Sequence, residues 1–190
     1  MKYIYPNLPN WIDPAKVIDY DKKPSWIAER KKNGWRCLAV RDEEGLTLFT
    51  RRKTIIYDQL PVTRNALQRL PYSTIIDGEL MEKRTKDIKD LFYAFDILYE
   101  GGKQLTSLPW KHRRERLEYV LNGIEGIEIS VPVCVGKSLL YDISIEEGNE
   151  GIVMKEINSK YLIDLNSCPH NPLWIKAKKP ENSFLFGGVK

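Results

Sequence analysis

Short apolar stretches broken by turn signals constrain this chain more than any other feature of its sequence. Residues 26–27, 37–40, 46–50, 73–81, 91–98, 127–135, 150–156 and 173–178 each read as a strand. Between them stand Asn33-Gly34, the acidic turn at 42–45 and Glu100-Gly101-Gly102. Helical spacing is rarer. It is expected over 58–70, with Leu60, Leu67 and Leu70 on one face, over a basic amphipathic helix at 110–121 with Leu117, Val120 and Leu121 inward, and over a short helix at 138–147. Residues 1–25, punctuated by Pro6, Pro9, Pro14 and Pro24, are expected to be irregular. Strands dominate and connections are short. This implies an α+β fold of largely antiparallel sheets flanked by few helices, not a doubly wound parallel sheet.

Residues 28–36 lie between the first two strands. Asn33-Gly34 reads as a tight turn because both residues tolerate positive φ. A lysine just before such a turn sits on a rigid strand and points into the cleft that the turn borders. Arg30, Lys31, Lys32 and Arg36 crowd positive charge there. Crowding of this kind lowers a lysine pKa from its usual value of about 10.4 and makes the amine nucleophilic near neutral pH. Taken alone, the stretch is better read as a basic surface hairpin. The rest of the chain changes that balance.

The 190 residues are 42% apolar, enough for a packed core in one sizeable domain. Net charge is mild, 30 − 26 = +4, but basic clusters recur at 22–23, 30–32, 51–53, 111–116 and 176–179. One cluster is usually a solvated face. Five, interleaved with carboxylate-bearing strands, suit a phosphate-rich partner. Cys37, Cys134 and Cys168 form no Cys-x-x-Cys pair, which argues against a disulfide framework or a zinc site and fits a reducing, intracellular, cytoplasmic setting. Cys168-Pro169-His170 reads as a loop. No apolar run is long enough to span a membrane, and the N-terminus lacks the pattern of a signal peptide.

Three further stretches carry chemistry. Asp77-Gly78-Glu79 places a carboxylate near a strand bend, though alone it reads as a turn. Alternation from Glu150 puts Glu150, Ile152 and Met154 on one strand face, so Glu150 can share a cleft with Glu79 if their strands are neighbours. Two carboxylates beside triphosphate oxygens suit Mg2+, which takes few protein ligands and keeps waters. Lys176 and Lys178 share a strand face and can neutralise a phosphate under attack. A basic edge strand is the plainer reading of that pair.

Lys31-Lys32-Asn33-Gly34, Asp77-Gly78-Glu79-Leu80, Phe92-Tyr93-Ala94-Phe95-Asp96, Glu150-Gly151-Ile152 and Trp174-Ile175-Lys176-Ala177-Lys178 together resemble the ordered motifs of the covalent nucleotidyltransferases. The similarity spans roughly residues 26–179. The text from Phe95 to Gly102, Leu108-Pro109, Arg113–Leu117 and Glu150–Lys155 looks most like ATP-dependent DNA ligases. The resemblance implies an ATP-grasp-like adenylation domain over 26–180, with 181–190 a tail or the truncated start of an OB-fold domain. It implies ATP and Mg2+ as cofactors, a nicked DNA duplex as partner (RNA-containing strands being the alternative), and a monomer. Lys31, three residues before the glycine, would be the nucleophile, with Lys32 its rival. Glu29 would read the adenine amino group, and Phe95 would stack on the base. Arg36 and Glu79 would meet the ribose, and Arg51 the sugar and phosphate. Glu150 would be a metal-linked carboxylate, with Glu79 beside it as a second candidate, and Lys176 and Lys178 would hold the α-phosphate. Asn33 departs from the family's usual Asp. Thr50-Arg51-Arg52-Lys53 lacks the glycine that usually ends that motif. An RNA ligase, a guanylyltransferase and a non-catalytic nucleotide-binding remnant are the alternatives.

Overall fold

Strands that are apolar on both faces need cover on both sides. In the third strand Cys37 and Ala39 point one way, Leu38 and Val40 the other, and all four are buried. The structure, a computed structural model, satisfies this demand with two sheets packed face to face and helices outside each. It describes residues 3–81 and 90–179.

In chain order the elements are β1 (Leu8–Trp11), α1 (Ile18–Asp21), β2 (Trp26–Lys31), β3 (Trp35–Asp42), β4 (Gly45–Thr50), α2 (Pro61–Gln68) and β5 (Thr74–Leu80). They continue with β6 (Phe92–Glu100), β7 (Lys103–Gln104), α3 (Trp110–Leu121), β8 (Ile127–Ile129), α4 (Lys137–Glu146), β9 (Gly151–Glu156) and β10 (His170–Lys178). One sheet has the order β1-β10-β9-β2. The other runs β4-β3-β5-β6-β7, with β8 beside β6. Pairing is antiparallel except for β1 with β10 and β6 with β8. The α+β architecture with largely antiparallel sheets expected from the sequence is the one observed.

The core is layered accordingly. Cys37, Ala39, Leu48, Ile76, Phe92 and Ile97 of the second sheet pack with Leu67 of α2 and with Leu117, Val120 and Leu121 of α3. Leu38, Val40, Ile75 and Leu98 face Tyr161 and Trp174 between the sheets. Ile152, Met154, Ile175 and Ala177 pack on the outer side with Leu140 of α4.

Four local expectations change. Residues 1–25 are not all irregular, because β1 adds to β10 and so makes β10 an internal strand rather than an edge. β2 and β3 form no hairpin: β2 pairs with β9, whereas β3 pairs with β4 and β5. Residues 32–34 therefore cross from one sheet to the other. Asp77-Gly78-Glu79, a turn when read alone, lies within β5, in keeping with the strand expected over 73–81. The strand expected over 127–135 stops at Ile129, and Val133 then makes an isolated bridge to Ala28. Residue His170, expected in a loop, opens β10. The expected tail or OB-fold start at 181–190 lies outside the described residues. No helix among the described residues is long and apolar enough to cross a membrane.

Candidate active site

Alternation along the facing strands leaves a cavity of about 640 Å³ between the sheets. The first sheet contributes Glu29 and Lys31 of β2, Val153 and Lys155 of β9, and Lys176 and Lys178 of β10. The second contributes Arg36 of β3, Glu79 of β5, and Tyr93 and Phe95 of β6. Arg51 and Glu150 line it from loops. Every site residue expected from the sequence reaches this one cavity.

Positive charge gathers at one end. Lys31 Nζ lies 2.5 Å from Glu150 Oε2, and Lys178 Nζ lies 3.7 Å from the same oxygen. Partial burial, together with the Lys178, Lys31 and Arg51 cations, lowers the Lys176 pKa, against the opposing pull of Glu150. The crowding expected around Lys31 has a different source from the one its sequence neighbours suggested. Arg30 turns to Glu147, Arg36 to Asp77, and Lys32 sits 5.2 Å over the Tyr93 ring. Lys176 and Lys178, distant in sequence, bring further positive charge to the end of the cavity where Lys31 meets Glu150.

Glu150 reaches the cavity by a route that alternation did not foresee. Ile152 and Met154 face the outer core while Glu150 faces inward. Gly151 has a φ of +141° and breaks the alternation between them. A Cβ there would run into the Ala177 carbonyl oxygen. Glu79 thus lines the cavity from β5 and Glu150 from the loop that leads into β9, not from neighbouring strands.

In the middle, Arg36 makes a two-pronged pair with Asp77, Nε to Oδ1 at 2.6 Å and Nη2 to Oδ2 at 2.5 Å. Burial opposes the Arg36 charge, but the Asp77 carboxylate outweighs it and raises the arginine pKa. The guanidinium lies 4.5 Å over the Phe95 ring. Phe95 is the residue skipped in the ladder, where Asp77 pairs with Asp96 but Gly78 with Ala94. A bulge at this point re-aims the ring into the cavity. The Gly34 amide donates to Glu79 Oε1 at 3.2 Å. Burial raises the Glu79 pKa, against the Lys31 and Arg36 charges.

At the far end, Glu29 is 3% exposed. Its Oε2 lies 2.7 Å from Lys155 Nζ, and its Oε1 accepts from Ser130 Oγ at 2.6 Å. Sequence reading missed Lys155, Ser130 and Asp77. Alternation from Val153 could have placed Lys155 on the inner face, but no pattern marks Ser130, which the chain delivers where β8 ends. The basic helix α3 also differs from a solvated cationic face. Arg113 is buried and paired to Asp96, Arg114 reaches Glu118 and Ser130, and Arg116 pairs with Glu100.

For a divalent cation the cavity offers the Glu79 and Glu150 carboxylates. No group of three or more His, Cys, Asp or Glu side chains able to cage a metal exists among the described residues. This donor set fits magnesium held largely by phosphate oxygens and water, and does not fit an all-protein cage.

The fold is that of the nucleotidyltransferase domain of DNA ligases. The ligase domain of M. tuberculosis LigD superposes with a TM-score of 0.72 at 23% identity, covering 92% of this chain and 59% of that one. A Chlorella virus DNA ligase-adenylate superposes with a TM-score of 0.61 at 17% identity, covering 92% of this chain and 67% of that one. Residues 82–178, more than half of the sequence, match the family described as "ATP dependent DNA ligase domain", and the chain belongs to that family. DNA ligase 2 of Thermofilum pendens is 28% identical over 88% of this chain and 32% of its own length. LigD of Pseudomonas aeruginosa, a multifunctional non-homologous end joining protein, is 27% identical over 90% of this chain and 22% of its own length. The chain spans about a third of the first curated relatives it matches.

Proposed function

We propose that residues 26–180 are the adenylation domain of an ATP-dependent DNA ligase that works as an intracellular monomer on nicked duplex DNA. The observation that carries this reading is the Lys31 ammonium, paired to Glu150 at 2.5 Å and sharing a cavity with Lys176 and Lys178. Lys31 Nζ attacks the α-phosphorus of ATP as the bond to the β-phosphate oxygen breaks and pyrophosphate departs. Glu150 Oε2 stands where the Nζ proton must go. Lys176 and Lys178 neutralise the α-phosphate oxygens during attack. Glu29 and Phe95 hold the base, Arg36 and Glu79 the ribose, and Arg51 the sugar and phosphate. AMP then passes from Lys31 to the 5′-phosphate at the nick, and attack by the 3′-hydroxyl releases it. Magnesium, held beside Glu150 and Glu79, would supply charge neutralisation on the phosphates. Asn33 carries no charge, yet Lys31 keeps a carboxylate partner in Glu150, which favours the catalytic reading over a binding remnant. DNA approaches over the exposed Arg51–Lys53 turn, since most arginines of α3 are engaged within the fold.

Intact mass after incubation with ATP and magnesium tests the reading. The wild-type chain should gain one AMP, Lys31→Ala none, and Lys32→Ala most of the wild-type yield. Loss in Lys32→Ala alone would move the nucleophile by one residue. A wild-type chain that binds ATP without any mass gain would leave a nucleotide-binding remnant.

A further inference from the structure

A carboxylate as buried as Glu29 is costly unless its charge and lone pairs are met. Lys155 meets the charge at 2.7 Å. Lys155 is itself 2% exposed, donates to the Phe95 carbonyl at 3.3 Å, and lies 4.7 Å from the Trp174 ring centre. It is therefore fixed on Glu29 rather than free to swing into solvent. On the other oxygen, Ser130 Oγ sits 2.6 Å from Glu29 and 3.0 Å from Arg114 Nη1. A guanidinium can only donate, so Ser130 accepts from Arg114 and its single proton is directed at Glu29. Arg114 Nη1 also binds the Ser130 carbonyl, which pins the loop that carries the hydroxyl. Each of these neighbours presents Glu29 with a donor and none with an acceptor. Glu29 lines the cavity, and the lone pairs left over can only accept.

We infer that Lys155 and Ser130, the latter set by Arg114, are the positioning residues that hold Glu29 as a fixed acceptor and thereby select a purine with an exocyclic amino group at its six-position. This rests on the reading above that the cavity takes a purine nucleotide. Adenine offers N–H at that point. Guanine offers a carbonyl, which would face a carboxylate with no proton to share. Removing the Lys155 cation leaves a buried, under-compensated carboxylate whose second oxygen is no longer tied in place. A carboxylate free to turn away no longer forces an unpaired contact on a carbonyl, so the discrimination collapses.

Equilibrium binding of ATP and GTP to the full chain, alongside nucleotide-adduct mass, tests this. Lys155→Met should lower the ATP-over-GTP binding ratio by about tenfold or more, since losing one buried polar match costs roughly that factor. Lys155→Arg should restore much of the ratio. Ser130→Ala should lower it by a smaller factor and carries the test if Lys155→Met fails to fold by circular dichroism. Equal loss of both nucleotides with an unchanged ratio in both variants would reduce these residues to structural support and overturn the inference. So would a wild-type chain that binds ATP and GTP alike, even if it labels itself. If the wild type prefers ATP but forms no adduct, the catalytic reading falls while the binding ratios still decide this one. Binding of neither nucleotide would overturn both.

Discussion

At the scale of single residues, glycines and their substitutes explain why some motif positions were legible for the wrong reason. Gly34 was expected for its tolerance of positive φ, but its φ is not among the positive ones. It is needed because a Cβ would sit 2.5 Å from the Leu80 carbonyl oxygen and 2.6 Å from Glu79 Cγ. Lys53 is the converse: it stands where the resembling motif usually has glycine, and it adopts a φ of +66°. That conformation costs an L-residue roughly 1 kcal/mol. Lys53→Gly should therefore stabilise the fold by about 0.5 kcal/mol once glycine's extra unfolded-state freedom is counted. A denaturant midpoint that rises with an unchanged slope would bear this out. Glu79 gives a pH-dependent case. Burial raises its pKa above that of the unfolded chain. The native state thus holds the proton more tightly, and wild-type stability declines as pH rises from the ordinary glutamate range through the folded value. Glu79→Gln has no such proton and keeps an oxygen for the Gly34 amide. Its melting temperature relative to wild type should climb as pH goes from acid to neutral; a constant gap would contradict the burial argument.

At the scale of elements, what alternation can report was readable and what crosses between sheets was not. α3 ran over the residues expected of it, and Lys176 and Lys178 share a face as their spacing required. The Asn-Gly signal between β2 and β3 misled because a turn residue marks a change of direction, not the partner that the chain finds afterwards. The bulge that aims Phe95 leaves no mark in the sequence, since one skipped residue in a ladder is a property of two strands at once. The break at Gly151 could have been suspected from a glycine at the head of an apolar strand. Gly151→Ala should cost at least about 2 kcal/mol, because it combines a disfavoured φ with a clash against the backbone of β10. Gly148→Ala is the comparison: its φ is +80° but nothing lies within 4 Å of the added methyl, so only the conformational cost, about 1 kcal/mol, should appear. Equal urea midpoints for the two variants would show that the contact with Ala177 does not matter.

At the scale of the whole molecule, the two sheets differ in how they are drawn from the chain. The β4-β3-β5-β6-β7 sheet uses residues 35–104, apart from β8 at its side. The β1-β10-β9-β2 sheet joins residues 8–31 to residues 151–178. Its anchor is Asn7, fully buried, which takes the Leu162 amide and the Asn171 side chain on its own side-chain oxygen and gives its backbone amide to Tyr161. Contacts so far apart in sequence are slow to close, whereas neighbouring strands find each other early. During synthesis the middle sheet can therefore assemble while β1 waits, unpaired, for a strand the ribosome has yet to make. Lys31 would be on display well before Lys176 and Lys178 exist, so on the proposed reading the nascent chain would be unable to consume ATP until β10 is in place. Pulsed hydrogen exchange during refolding should find β3, β5 and β6 amides protected first, and the Leu8 and Ile12 amides, bonded to Pro169 and Lys176, protected last. Early protection at Leu8 and Ile12 would mean that the two ends of the chain meet first and that the order of assembly is the reverse.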